Sequence, residues 1–141
     1  MANNYVLFSE VIEDLTKEEL CWWMELLDGI ETAIEDEVPL DLNKELCEVF
    51  AGSGCVDFQW SIDDNCVYFF SEESGDPEQV MLLVQLFLHK FRPDEKFSMQ
   101  WAFTCSKSRP GQFGGGAAVA TKKGIKYLDV GRWVQDQLEE S

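Results

Sequence analysis

Residues 56–70 read Val-Asp-Phe-Gln-Trp-Ser-Ile-Asp-Asp-Asn-Cys-Val-Tyr-Phe-Phe. Val56, Phe58, Trp60 and Ile62 alternate with Asp57, Gln59 and Ser61, the period of a strand with one buried face. Asp63-Asp64-Asn65 is turn chemistry. Cys66 to Phe70 then read as the returning arm of a hairpin. After a loop at Glu72 to Gly75, Asp76-Pro77 supply an N-cap and a proline at the first helical position. The helix runs to about Phe91. Its stripe of Val80, Leu83, Val84, Phe87 and Leu88 is widened by Met81, Leu82 and Leu86, and only Glu78, Gln85 and His89 mark a polar side. A helix apolar around most of its circumference is buried, so this is the expected central packing helix. Arg92-Pro93 stops it. Phe97, Met99, Trp101 and Phe103 alternate with Ser98, Gln100, Ala102 and Thr104 as a third strand. A hairpin, a buried helix and a further strand make the class α+β.

Working outward, Cys105 to Gly116 hold four glycines and one proline and read as a loop. Ala117 to Thr121 and Ile125 to Leu128 flank Lys122-Lys123-Gly124 as a second hairpin. Asp129 caps a last short helix with Val130, Trp133, Val134 and Leu138 on one face. On the N-terminal side, Thr16 and Glu19 form a capping box, with Leu15 and Leu20 placed as its hydrophobic staple. Leu20, Trp23, Met24, Leu27, Ile30 and Ile34 follow with helical spacing. Asp41 is the expected cap of a shorter helix to about Phe50, ended by Ala51-Gly52-Ser53-Gly54. Residues 5–8 are a short strand or an apolar anchor. The expected order is ααββαβββα, a largely antiparallel sheet of four to five strands packed on helices. One domain spans 1–141, with an acidic helical part at 1–52. The sheet, the 76–91 helix and the C-terminal helix occupy 53–141.

The 141 residues carry a net charge of −16, unevenly spread. Residues 1–91 hold 21 acids and three bases, a net −18; residues 92–141 hold six acids and eight bases, a net +2. Such a field repels phosphate and attracts basic surfaces, so direct nucleic-acid binding by the acidic part is not expected. Solubility is the plain alternative. No apolar run reaches the roughly 18 residues of a membrane helix, and Met1 to Tyr5 carry no secretion signal. The five cysteines include no Cys-x-x-Cys pair and there is one histidine, so zinc-site spacing is missing. The cysteines read as reduced thiols of a cytoplasmic protein. No metal or cofactor is expected.

Four groups of residues invite chemistry. The loop with Lys107, Arg109 and Gly114-Gly115-Gly116 has the composition of an anion-holding backbone, although it lacks the ending of a phosphate loop. Its alternative is a glycine-lined strand start on which an aromatic ring packs. His89 and Cys105 are the one nucleophile pair the sequence permits, Cys105 having Lys107 and Arg109 beside it. Asp63-Asp64 and Glu72-Glu73-Asp76 would gather carboxylates if their loops met. Trp22, off the main stripe of the first helix among Glu18, Glu25, Glu31, Glu35, Asp36 and Glu37, has the composition of a binding hot spot for a basic protein. Its alternative is a wider buried stripe. The cluster Glu35-Asp36-Glu37 opposes the helix dipole.

These features lead to two expectations. The first is a small non-enzymatic interaction protein whose acidic part binds a basic protein, including nucleic-acid-binding proteins. By charge and size alone it resembles the acidic nucleic-acid mimics among phage anti-restriction and anti-CRISPR inhibitors. The second is a small-ligand or anion-binding module, or an enzyme, using the 106–116 loop. The missing catalytic constellation weighs against an enzyme without deciding the matter.

Overall fold

A computed structural model describes residues 3–140. The chain order is β1 (Asn4–Ile12), α1 (Lys17–Glu35), α2 (Lys44–Ser53), β2 (Gln59–Asp63), β3 (Cys66–Ser71), α3 (Pro77–Phe91), β4 (Phe97–Cys105), β5 (Gly114–Thr121), β6 (Gly124–Asp129) and α4 (Val130–Glu139). The class is α+β as expected, but the sheet has six strands, in the order β2-β3-β1-β4-β5-β6 with every pair antiparallel.

The additional strand is β1, for which the sequence offered only residues 5–8. It lies between β3 and β4, pairing with β4 through Asn4–Leu7 and with β3 through Phe8–Ile12. Glu10 hides it, breaking the alternation of Val6, Phe8 and Ile12. The Glu10 carboxylate sits where β1 leaves β4 and accepts a long hydrogen bond, 3.5 Å, from the Gln100 amide. Burial pushes its pKa up against that bond.

The hairpin turns where its sequence requires. Asp64 (φ 48°) and Asn65 (φ 60°) both adopt the left-handed conformation of a two-residue hairpin turn. The capping box of α1 is complete, Thr16 and Glu19 exchanging both bonds. The cap of α2 is Asn43, not Asp41: its Oδ1 accepts from the Leu46 amide at 3.0 Å. An Asx side chain reaches an amide two or three residues on, which Asn43 satisfies for a helix starting at Lys44.

Helices α1 and α3 cover one face of the sheet, where Trp23, Leu27, Phe69, Phe87, Val84 and Met99 are all buried. Trp23 meets Phe69 at 5.2 Å and Phe87 at 5.3 Å. The side chains that alternate with the buried ones, among them Gln59, Ser61, Ser98 and Gln100, are exposed. Gln79, fully buried, ties α3 to the end of α2. Its amide donates to Ser53 Oγ (2.6 Å) and the Cys55 carbonyl (3.0 Å) and accepts from the Asp57 amide (2.8 Å).

The first half of the expected glycine loop is a loop; its end is not. Gly114, Gly115 and Gly116 belong to β5, opposite Phe103, Ala102 and Trp101, and Gly116 also faces Asp129 of β6. A Cβ on Gly116 would lie 2.5 Å from the Trp101 indole, and one on Gly115 would lie 2.5 Å from the Trp101 carbonyl oxygen. Gly114 is different, since its Cβ would make an ordinary 3.5 Å contact with Phe103. Gly115→Ala is therefore expected to cost roughly 1–3 kcal/mol of stability. Gly114→Ala should stay within about 0.5 kcal/mol. Urea unfolding of the two variants checks the contrast.

Candidate functional site

The α1–α2 segment, residues 17–53, holds eleven acids and two bases. Among the described residues, only Glu19 and Glu48 of those acids take part in ion pairs. The Glu48 pair with Lys44 is solvent-exposed at 3.8 Å and of little energetic value. The remaining carboxylates face water without counter-charge.

At 100° per residue, the acids of α1 fall into two rows. Glu18, Glu25 and Asp36 share one row, which passes through Gly29. Asp28, Glu31 and Glu35 lie on the opposite flank. Glu31 has a structural task there, accepting a 2.7 Å hydrogen bond from Trp60 Nε1 of β2. Glu18, Glu25, Glu35, Asp36 and Glu37 are exposed.

Trp22 is the wider stripe and not an exposed hot spot. It is half-buried, 4.9 Å from Trp23, 5.6 Å from Phe91 and 5.7 Å from Phe87. A residue 100° from Trp23 reaches the flank of α3, which the spacing of α1 alone does not reveal.

The connection from α1 to α2 creates something the sequence reading missed. Helix α1 ends in a Schellman motif: the Val38 amide donates to the Ala33 carbonyl (2.9 Å) and the Glu37 amide to the Ile34 carbonyl (3.2 Å). Pro39 then turns the chain back along the helix. Two shallow apolar depressions flank Pro39–Leu40. One, of about 330 Å³, is walled by Ile34, Val38, Cys47, Phe50 and Ala51. The other, of about 260 Å³, is walled by Leu26, Gly29, Ala33 and Leu42, with Glu25 and Asp41 on its edge. The signal was present in Val38-Pro39-Leu40, an apolar run enclosed by acids.

Glu37 is unfavourable twice over. It occupies the left-handed position of the motif (φ 56°), where glycine is the usual residue. It also adds negative charge at a helix C-terminus. Glu37→Gly should accordingly raise stability by about 1 kcal/mol, read as a higher thermal midpoint, while reducing affinity for a cationic partner.

The other candidate groups are not assembled. Lys107 and Arg109 sit on an exposed turn, and the backbone of Gly114–Gly116 is engaged between strands. His89 lies at the end of α3 beside Lys122, near the start of β4, while Cys105 ends β4. The nine residues of that strand separate them by roughly 25 Å. Asp63-Asp64 and Glu72-Glu73-Asp76 are at opposite ends of β3, and no group of three or more metal-ligating side chains occurs among the described residues. A polar cleft of about 300 Å³ at Asp57, Glu72 and Glu73 has no His or Cys on its walls. Burial raises the pKa of Asp76, the cap of α3, although the amides of Glu78 and Gln79 donate to it. No helix among the described residues is long and apolar enough to cross a membrane.

No family model matches the chain, and neither curated proteins nor solved structures yield a significant match.

Proposed function

We propose that this chain is a non-enzymatic binding protein whose α1–α2 surface engages a basic region of another protein. The observation that carries the reading is the uncompensated charge of that surface beside exposed apolar ground. Solubility requires charge, but it does not require an acid at the strained end of a helix or apolar depressions amid the acids. Electrostatic attraction of this kind steers a partner and suppresses wrong ones. Proteins that bind nucleic acid carry cationic grooves of the opposite sign to this face, so blocking such a groove by charge mimicry is the specific form we favour.

The test is affinity capture from a bacterial lysate at low and moderate salt, with wild type beside Glu25→Lys/Asp36→Lys/Asp41→Lys. A basic protein retained by wild type, and lost both with salt and with charge reversal, is the expected result. Capture indifferent to the reversal would refute the proposal. Asp41 belongs in the variant because it edges a depression and caps no helix.

A further inference from the structure

We infer that the element bound on the α1–α2 face is a basic amphipathic helix. It seats apolar side chains in the depressions beside Pro39–Leu40, one of them against the bare backbone of Gly29. This rests on the reading of the face as the site for a basic partner.

Gly29 lies in the interior of α1, where glycine weakens a helix. Nothing in the chain requires it: a Cβ at this position would meet no atom within 4 Å, and its φ is not positive. Its missing side chain instead leaves the floor of the smaller depression open, and Ala33, one turn on, continues that floor. Glycine with no internal steric reason, inside an apolar depression, admits close approach from outside. The edge carries Glu25 and Asp41, which fixes the sign of the charges flanking the incoming apolar groups. Val38, on the other side of Pro39–Leu40, is 52% exposed and offers a second apolar contact. The face is built from two helices and their connection, so it has no strand edge to which an extended peptide could add. An amphipathic helix brings apolar and basic side chains to such a face together, the helix-in-groove mode.

Two synthetic peptides of equal lysine content test this by calorimetric titration. One carries leucines along a helical face; the other has glutamines there. Wild type should bind the leucine peptide about tenfold more tightly. Gly29→Gln fills the depression with a polar group at unchanged charge. It should melt at a higher temperature and yet lose the leucine preference. Equal affinity of wild type for both peptides overturns the inference, as does a leucine preference that survives Gly29→Gln. The triple reversal Glu25→Lys/Asp36→Lys/Asp41→Lys should weaken both peptides. If both bind it as tightly as wild type, the functional reading fails first and the inference with it.

Discussion

Arg92→Met is expected to lower the unfolding free energy by about 3 kcal/mol at neutral pH. Arg92 follows α3, and its guanidinium grips the buried Glu19 carboxylate with Nε at 2.9 Å and a second nitrogen at 3.2 Å. It also donates to the carbonyls of Glu13 (3.3 Å) and Asp14 (3.0 Å) and stands 5.4 Å from the Phe87 ring. It therefore fastens the β1–α1 connection to α3. Methionine keeps the apolar stem but leaves Glu19 buried and unpaired, the costly way to break an ion pair.

The pH dependence carries its own signature. Burial would raise the Glu19 pKa, but the hydrogen bonds from Arg92 and Thr16 outweigh it and hold it below 4.5. A carboxylate with a depressed folded pKa contributes stability that is full above its unfolded value and is lost as pH falls through the folded one. Wild type thus loses this contribution on acidification below about 4.5. In the variant the Arg92 bonds are gone and only those from Thr16 still oppose burial, so the Glu19 pKa rises and its protonation costs the fold less. The stability gap should narrow between pH 7 and pH 3, as followed by urea unfolding. A gap that widens would mean that Glu19 is not the group left uncompensated.

The second large effect is on binding. Glu25→Lys/Asp36→Lys/Asp41→Lys should weaken the captured partner about a hundredfold, or roughly 2.8 kcal/mol. The matched reversal Asp28→Lys/Glu35→Lys/Glu48→Lys changes net charge equally but lies away from the Gly29 row. It should cost about tenfold or less, because it alters only the long-range field. Neither set touches a buried residue, so both variants should fold. Equal losses would reduce the acidity to a general field without a site.

Much of the fold was legible because its signals are local. Thr16 and Glu19, Asp76-Pro77 and Asp129 each mark a helix start within four residues, and all three stand at helix starts. The hairpin at Asp63–Cys66 follows from alternation and two turn residues. β1 was legible only in part, as a short strand or anchor at residues 5–8, because its partners are β3 and β4, far along the chain, and Glu10 interrupts its pattern. Gly114–Gly116 read two ways, as an anion-holding loop or as a glycine-lined strand start under an aromatic ring; the second holds, and the ring is that of Trp101, fifteen residues before Gly116.

The acidic face was legible as charge but not as geometry. Helical spacing puts Glu25 and Asp36 in one row, yet the depression beside Glu25 exists only because Pro39 folds Leu40 back along α1. Trp22 could not be placed without α3. The apolar face of the last helix is left uncovered. Its cap is formed by Asp129, which accepts from the Arg132 amide at 2.8 Å. Trp133 and Leu138 nevertheless remain 55% and 75% exposed.

The central claim is most directly tested by the dissociation constant of the captured partner, measured across salt for wild type and for Glu25→Lys/Asp36→Lys/Asp41→Lys. Wild-type affinity should fall steadily as salt rises, and the reversed variant should be weak throughout with little salt dependence. A wild-type affinity indifferent to salt, or identical curves for the two proteins, would contradict binding through the acidic α1–α2 face.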